Sequence, residues 1–252
     1  MGKFSGVLLC SDFDGTLANK TIVPPSAIEA IRYFQDHGGK FTLATGRYPS
    51  IVPEAVGIAE LCNAPMITLN GTLVYDQQKQ QIVHESFLPQ SCVEALLTLA
   101  REIRGVREFM FFPQDRWKQI TLKIDDDEAI REMVRQPLYK AVVHVDDDIS
   151  DEATQRLRTL LGEEFSVYRS WINGIEFHSA QSDKGKTARR VAEMIGADKL
   201  IGIGDYENDI SLLREADVGC AMGNAIAPLK QIADFVTDSV ENDGFAKMIY
   251  RL

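Results

Sequence analysis

The chain has 252 residues, 45% of them hydrophobic, and a formal net charge of −10 at pH 7. That is enough apolar material for one large domain or two moderate ones, and the acidic balance argues against nucleic acid or an anionic membrane surface as the main partner. No apolar run approaches the roughly 18 residues needed to cross a bilayer, and the first strand begins within a few residues of the N-terminus, so the expected location is cytoplasmic.

Residues 6–11 read as a buried strand that delivers Asp12 and Asp14 to its C-terminal end, where open α/β sheets bind ligands. Alternate side chains of extended backbone share a face, so both carboxylates can start on one side before Gly15 turns the chain. One could attack while the other shuttles a proton; alone, Asp-x-Asp-Gly equally describes an Asx turn closing a strand. A helix follows over 25–37, opened by Pro24-Pro25-Ser26 and ended by His37-Gly38-Gly39, as proline at the start and glycine past the end dictate. A strand over 40–44 ends in Thr45-Gly46-Arg47, where a hydroxyl and backbone N–H groups could hold phosphate oxygens. A helix over 50–59 and a strand over 66–69 complete the alternation expected of a parallel sheet covered by helices. Asn70-Gly71 and Asp76-Gln77-Gln78 break the chain around β-like runs 72–75 and 81–87, which predicts a hairpin leaving the sheet.

From 88 to 180 the pattern becomes helix, two strands, helix, strand, helix, two strands, punctuated by Pro89, Pro113 and Pro137. This is α+β organisation, an antiparallel sheet carrying helices. The acidic runs 125–128 and 146–148 mark helix starts and solvated loops. Trp117 and Trp171 suit packing at least as well as platforms for a sugar or base. After Ser182 the alternation resumes: helix 184–195, strand 199–203, helix 208–215, strand 218–222, helix 226–232 and a terminal helix from 244. The expected fold class is α/β, a Rossmann-like core with a parallel sheet flanked by helices. Its two segments, 1–86 and 181–252, are interrupted by an α+β cap over 87–180.

Lys184-Gly185-Lys186-Thr187 lacks the upstream glycine of a nucleotide-binding loop, which excludes that reading. A lysine at a helix N-terminus opposes the helix dipole, so Lys184 implies a nearby anion, whereas Lys186 points elsewhere into solvent. Strand 199–203 runs into Gly204-Asp205-Tyr206-Glu207-Asn208-Asp209. Asp205 and Asp209 can both face the strand tips, and carboxylates gathered there repel unless a cation is present; oxygen-only ligation suits Mg²⁺. Cys10, Cys62, Cys92 and Cys220 are scattered without Cys-x-x-Cys spacing, and the four histidines show no ligand spacing. Neither disulfides nor zinc are expected.

Taken together these motifs resemble, in order, those of the haloacid dehalogenase-like phosphohydrolase superfamily. Asp12 to Thr16 match its first motif without departure, Thr45 its second, Lys184 its lysine, and Gly204 to Asp209 its acidic motif. The insert resembles the large α/β cap of the Cof-type subfamily, as do Asn70-Gly71, Ala221-Met222-Gly223-Asn224-Ala225 and Glu241-Asn242-Asp243-Gly244. Gln181-Ser182-Asp183 departs from the Gly-Val/Ile-x run usual before the lysine, a loop difference. The resemblance implies a Mg²⁺-dependent phosphatase of small phosphorylated metabolites, sugar phosphates first, with nucleotides and a phosphorylated vitamin cofactor open; the protein would be a monomer or homodimer. It implies Asp12 as nucleophile, Asp14 as acid and base, and metal held by Asp12, the Asp14 backbone carbonyl and Asp205. Substrate would meet Thr45, Gly46, Arg47, Lys184 and Asn208, with Asn208 and Asp209 orienting Lys184. A phosphomutase uses the same chemistry, and a receiver-like module or a silent phospho-ligand binding protein are the non-enzyme alternatives. Leaving-group choice would reside largely in 87–180.

Overall fold

The computed structural model describes residues 2–20, 22–52, 57–115 and 118–252. In chain order the first elements are β1 (Val7–Ser11), α1 (Pro25–Asp36), β2 (Lys40–Leu43), α2 (Ile58–Leu61), β3 (Met66–Thr68), β4 (Leu73–Asp76) and β5 (Gln81–Glu85). Then come α3 (Cys92–Glu102), β6 (Val106–Pro113), β7 (Ile120–Lys123), α4 (Asp127–Val134), β8 (Leu138–Val145), α5 (Ser150–Leu161), β9 (Phe165–Trp171) and β10 (Gly174–Ser179). The chain continues through α6 (Lys184–Met194), β11 (Lys199–Gly204), α7 (Ile210–Glu215), β12 (Val218–Ala221), α8 (Ala227–Ile232), β13 (Phe235–Val236) and α9 (Gly244–Arg251). Two compact units result, Met1–His84 with Asp183–Leu252, and Glu85–Ser182.

In the first unit the strands lie in the order β13-β12-β11-β1-β2, all parallel. β1 is an interior strand: Leu9 pairs with Ile201 on one side and Phe41 on the other. Its side chains alternate between two apolar layers. Leu9 packs into a cluster with Ala27, Ile31 and Phe34 of α1 and Met248 and Ile249 of α9. Leu8 and Cys10 face Ala188, Val191 and Ala192 of α6. A strand apolar on both faces is what a helix-covered parallel sheet demands. β3, β4 and β5 form a separate three-stranded sheet, with β3 and β4 antiparallel, linked to the main one by a bridge between Ala44 and Ile67.

The second unit is an antiparallel sheet ordered β7-β6-β8-β10-β9. Leu96 and Leu99 of α3, Ile130 of α4 and Leu157 of α5 pack with Phe109, Phe111, Val143, Ile175 and Phe177. Asp126 caps α4, accepting from the Ala129 N–H at 3.0 Å, as the acidic run predicts. Lys140 and Glu176 alternate with the core residues of the two central strands and pair with each other at 2.8 Å, almost fully buried. Trp171 is partly exposed and lays its ring over Gly174, where no Cβ would fit.

The α/β class expected from the pattern holds: a parallel sheet flanked by helices, and an antiparallel sheet carrying helices. Differences are local. The strand over 66–69 stops at Thr68 because Leu69 and Asn70 turn the chain at φ of 50° and 56°. The helix over 208–215 begins as a 3-10 turn, Glu207–Asp209. β13 was not anticipated. The predicted helix over 50–59 crosses residues 53–56, which lie outside the described residues, as does Trp117.

Candidate active site

The C-terminal ends of three adjacent parallel strands carry the acidic motifs. Asp12 follows β1, its N–H bonded to the Ile203 carbonyl at 2.9 Å; Asp205 follows β11, and Thr45 stands just beyond β2. Lys184 enters from the first turn of α6, capped by Asp183, which accepts the Lys186 N–H at 2.8 Å. Gly71 lets the preceding turn lie against this helix start: it has φ +101°, and a Cβ there would stand 2.3 Å from the Asp183 carbonyl oxygen. Lys184 is buried, with Nζ 2.5 Å from Asp12 Oδ1 and 2.6 Å from Asp209 Oδ1. The anion its helix position implied is therefore the chain's own pair of carboxylates.

Burial alone would push the Lys184 pKa down, but Asp12 and Asp209 outweigh it and hold the ammonium above its ordinary value. Asp209 is the most heavily bonded of the three: its Oδ1 accepts from Lys184, and Oδ2 accepts the Asp205 and Tyr206 N–H groups at 2.9 and 3.1 Å. Those bonds form the 3-10 turn that opens toward α7. Asp205 Oδ1 accepts the Thr16 hydroxyl at 2.9 Å. Asp12, Asp205 and Asp209 each present an oxygen within 4.8 Å of the others. The crowding is costly. Burial, then Asp209, drives Asp12 well above the usual carboxylate range, and the same two causes push Asp205 up to about 7. One lysine cannot neutralise three carboxylates, and an all-oxygen donor set around that surplus of charge fits a hard divalent cation. Asp12 and Asp205, with fewer hydrogen bonds than Asp209, have more oxygen capacity left to hold it.

Asp14 is directed elsewhere. It receives a bidentate pair from Arg47, Nε to Oδ2 at 2.8 Å and Nη2 to Oδ1 at 2.6 Å, which raises the Arg47 pKa. The guanidinium also lies 5.1 Å from the Phe13 ring centroid. Thr45 is buried, its hydroxyl oxygen accepting the Arg47 N–H at 3.2 Å across Gly46. Asn208 donates to Asn70 Oδ1 at 3.2 Å. Thus Asp12, Lys184, Asp205 and Asp209 are brought together, Arg47 is joined to Asp14, and Asn208 to the Asn70-Gly71 turn. Cys10 is fully buried and burial pushes its thiol up, so it remains an inert strand residue. All four cysteines are free thiols. Thr16 and Asn224 were given no role from sequence. Both contact Asp205, Asn224 Nδ2 at 3.4 Å from its Oδ2; the only signal was their place inside recurrent motifs.

A model of haloacid dehalogenase-like hydrolases matches residues 9–249. The Bacillus subtilis 5-amino-6-(5-phospho-D-ribitylamino)uracil phosphatase YcsE is 28% identical over 246 residues, covering 96% of this chain and 94% of its own. A phosphoglycolate phosphatase of Natronomonas pharaonis is 29% identical over 254 residues, covering 96% of each. Among solved structures, a haloacid dehalogenase-superfamily phosphatase from Bacteroides thetaiotaomicron is 26% identical with a TM-score of 0.78, covering 98% of this chain and 95% of that one. A subclass IIB sugar phosphatase of the superfamily shares the fold at a TM-score of 0.82 and 22% identity, covering 97% and 98%. Matched along nearly its whole length, the chain belongs to the haloacid dehalogenase-like hydrolase family, in its Cof-type branch.

Proposed function

We propose that this enzyme is a Mg²⁺-dependent phosphatase of small phosphate monoesters, sugar phosphates first, in which Asp12 carries the phosphoryl group in transit. The observation that carries this reading is the buried Asp12 carboxylate held 2.5 Å from the Lys184 ammonium, itself anchored by Asp209. Such a carboxylate is fixed in place when substrate arrives, and the adjacent ammonium favours the charged form a nucleophile requires against the burial and the Asp209 charge that oppose it. The curated relatives named above are phosphatases.

An Asp12 oxygen attacks phosphorus and the ester P–O bond breaks, the leaving oxygen taking a proton from Asp14. Water then attacks the acyl phosphate, Asp14 takes its proton, and the P–O bond to Asp12 breaks to release inorganic phosphate. Lys184, the Thr45 hydroxyl and N–H groups near Gly46 serve the phosphoryl oxygens, where charge must be met in the transition state. Arg47 holds Asp14 in the free enzyme, and an arriving anionic ester gives that guanidinium a second partner, releasing Asp14 for proton transfer. A divalent cation, held by Asp12, Asp205 and the Asp14 main-chain carbonyl, would supply charge neutralisation at the same oxygens. Asn208 positions the Asn70-Gly71 turn against the start of α6, and leaving-group choice falls to residues 87–180.

The test is inorganic phosphate release from sugar phosphates, nucleotides and pyridoxal phosphate, with Mg²⁺ or EDTA, for wild type and Asp12→Asn. The expected result is Mg²⁺-dependent turnover, highest on a sugar phosphate and lowered about a thousandfold or more by the substitution. Turnover indifferent to Asp12→Asn overturns the reading.

A further inference from the structure

The Ala221–Ala225 and Glu241–Gly244 motifs are left without a task by the chemistry above, yet one side chain connects both to the acidic centre. Asn224, at an exposed turn after β12, donates from Nδ2 to the Gly15 carbonyl at 2.9 Å, and its Nδ2 lies 3.4 Å from Asp205 Oδ2. Its Oδ1 accepts the Val240 N–H at 2.9 Å. That last bond fixes the amide's orientation, because only the oxygen can face an N–H donor.

Asp205 is therefore gripped from two directions. The buried Thr16 hydroxyl holds Oδ1 from within, and Asn224 stands against Oδ2 from the solvent side. The loop between them is pressed close: Gly15 has φ +81°, and a Cβ there would lie 2.5 Å from Asp205 Oδ2. By bonding the Gly15 carbonyl, Asn224 also holds the peptide plane leading into Thr16. Each Asp205 oxygen keeps a further lone-pair direction after these contacts. An exposed asparagine gains little stability from three such bonds in water, so their value lies in orientation.

We infer that Asn224 is a positioning residue for cation capture: it ties the first-motif loop, the Asp205 carboxylate and the Val240–Asn242 turn into one frame whose geometry sets divalent-cation affinity. The inference rests on the proposed role of Asp205 as a cation ligand. Outer partners of metal-binding carboxylates typically govern affinity by about ten- to a hundredfold. Lys230 supplies the control, since its Nζ bonds the Gly223 carbonyl at 2.6 Å and tethers the same turn without touching Asp205.

The experiment is Mn²⁺ titration of the full chain, followed by the electron paramagnetic resonance signal of free Mn²⁺, on wild type, Asn224→Ala, Asn224→Ser and Lys230→Ala. Melting temperature and kcat at saturating Mg²⁺ are read in parallel. The expected result is Mn²⁺ affinity weakened about tenfold or more in both Asn224 variants, with kcat at saturating metal and melting temperature near wild type and Lys230→Ala unchanged in affinity. The serine variant keeps a polar turn residue too short to span to Gly15, so it reports the same loss should the alanine variant fold poorly. Wild-type affinity in Asn224→Ala overturns the inference alone, as does an equal loss in Lys230→Ala. A wild type that binds no Mn²⁺ overturns the cation role of Asp205 together with it.

Discussion

The carboxylates at the strand tips make the cation measurable through stability as well as turnover. Asp205 stands at about 7 in the folded protein, raised by burial and by Asp209, against about 4 for an aspartate in an unfolded chain. Between those values the folded state holds more protons than the unfolded one, so the contribution of this group to stability falls as pH rises through the window. A bound cation relieves that repulsion where Asp205 is ionised. Added Mg²⁺ should therefore raise the melting temperature more at about pH 7.5 than at about pH 5, read by differential scanning fluorimetry against EDTA; an equal rise at both would show that the cation binds elsewhere. The residues of this centre were legible in sequence because each motif is local: Asp12 and Asp14 lie two apart, Asp205 and Asp209 four apart, and each motif follows a strand. The Arg47–Asp14 pair and the Asn224 contacts were not legible, since they span 33 and up to 209 residues and depend on the paths of loops.

At the scale of elements, α6 turns a lysine into a fixed cation, and its start is held by the Asp183 cap and by the Ser211 hydroxyl, which accepts the Gly185 N–H at 3.2 Å. Asp183→Ala removes the acceptor of the Lys186 N–H, and the expected cost is about 1 kcal/mol of stability in urea unfolding, largely restored by Asp183→Asn. A cost well above that in both variants would mean Asp183 acts through some contact other than the cap. The long strands and helices were readable from apolar period, and the order of elements over 88–180 followed the pattern. What escaped was short or made by side chains. β13 has two residues, too few to show a period. The 3-10 turn over Glu207–Asp209 is closed by the Asp209 carboxylate, which gathers two N–H groups three and four residues back, local side-chain bonds that helix propensity does not encode.

For the whole molecule, the second unit carries its own apolar cluster, from Leu88 to Phe177, and among the described residues β6 to β10 pair with one another in a single sheet. An isolated 85–182 fragment should fold, showing near-ultraviolet circular dichroism and a cooperative urea transition; a fragment with helix signal but no cooperative transition would show that its core needs the rest of the chain. The first unit has no such independence in either half. Because β1 lies between β2 and β11, the strand leading into Asp12 gains its second neighbour only when residues 199–204 exist. On the ribosome, the inserted unit is complete while β1 still has an open edge, and chemistry waits for the last fifth of the chain. A message truncated after the inserted unit but before that point would yield a protein with a folded middle, an unpaired apolar strand and no reactive centre, marking it for aggregation or degradation instead of partial activity.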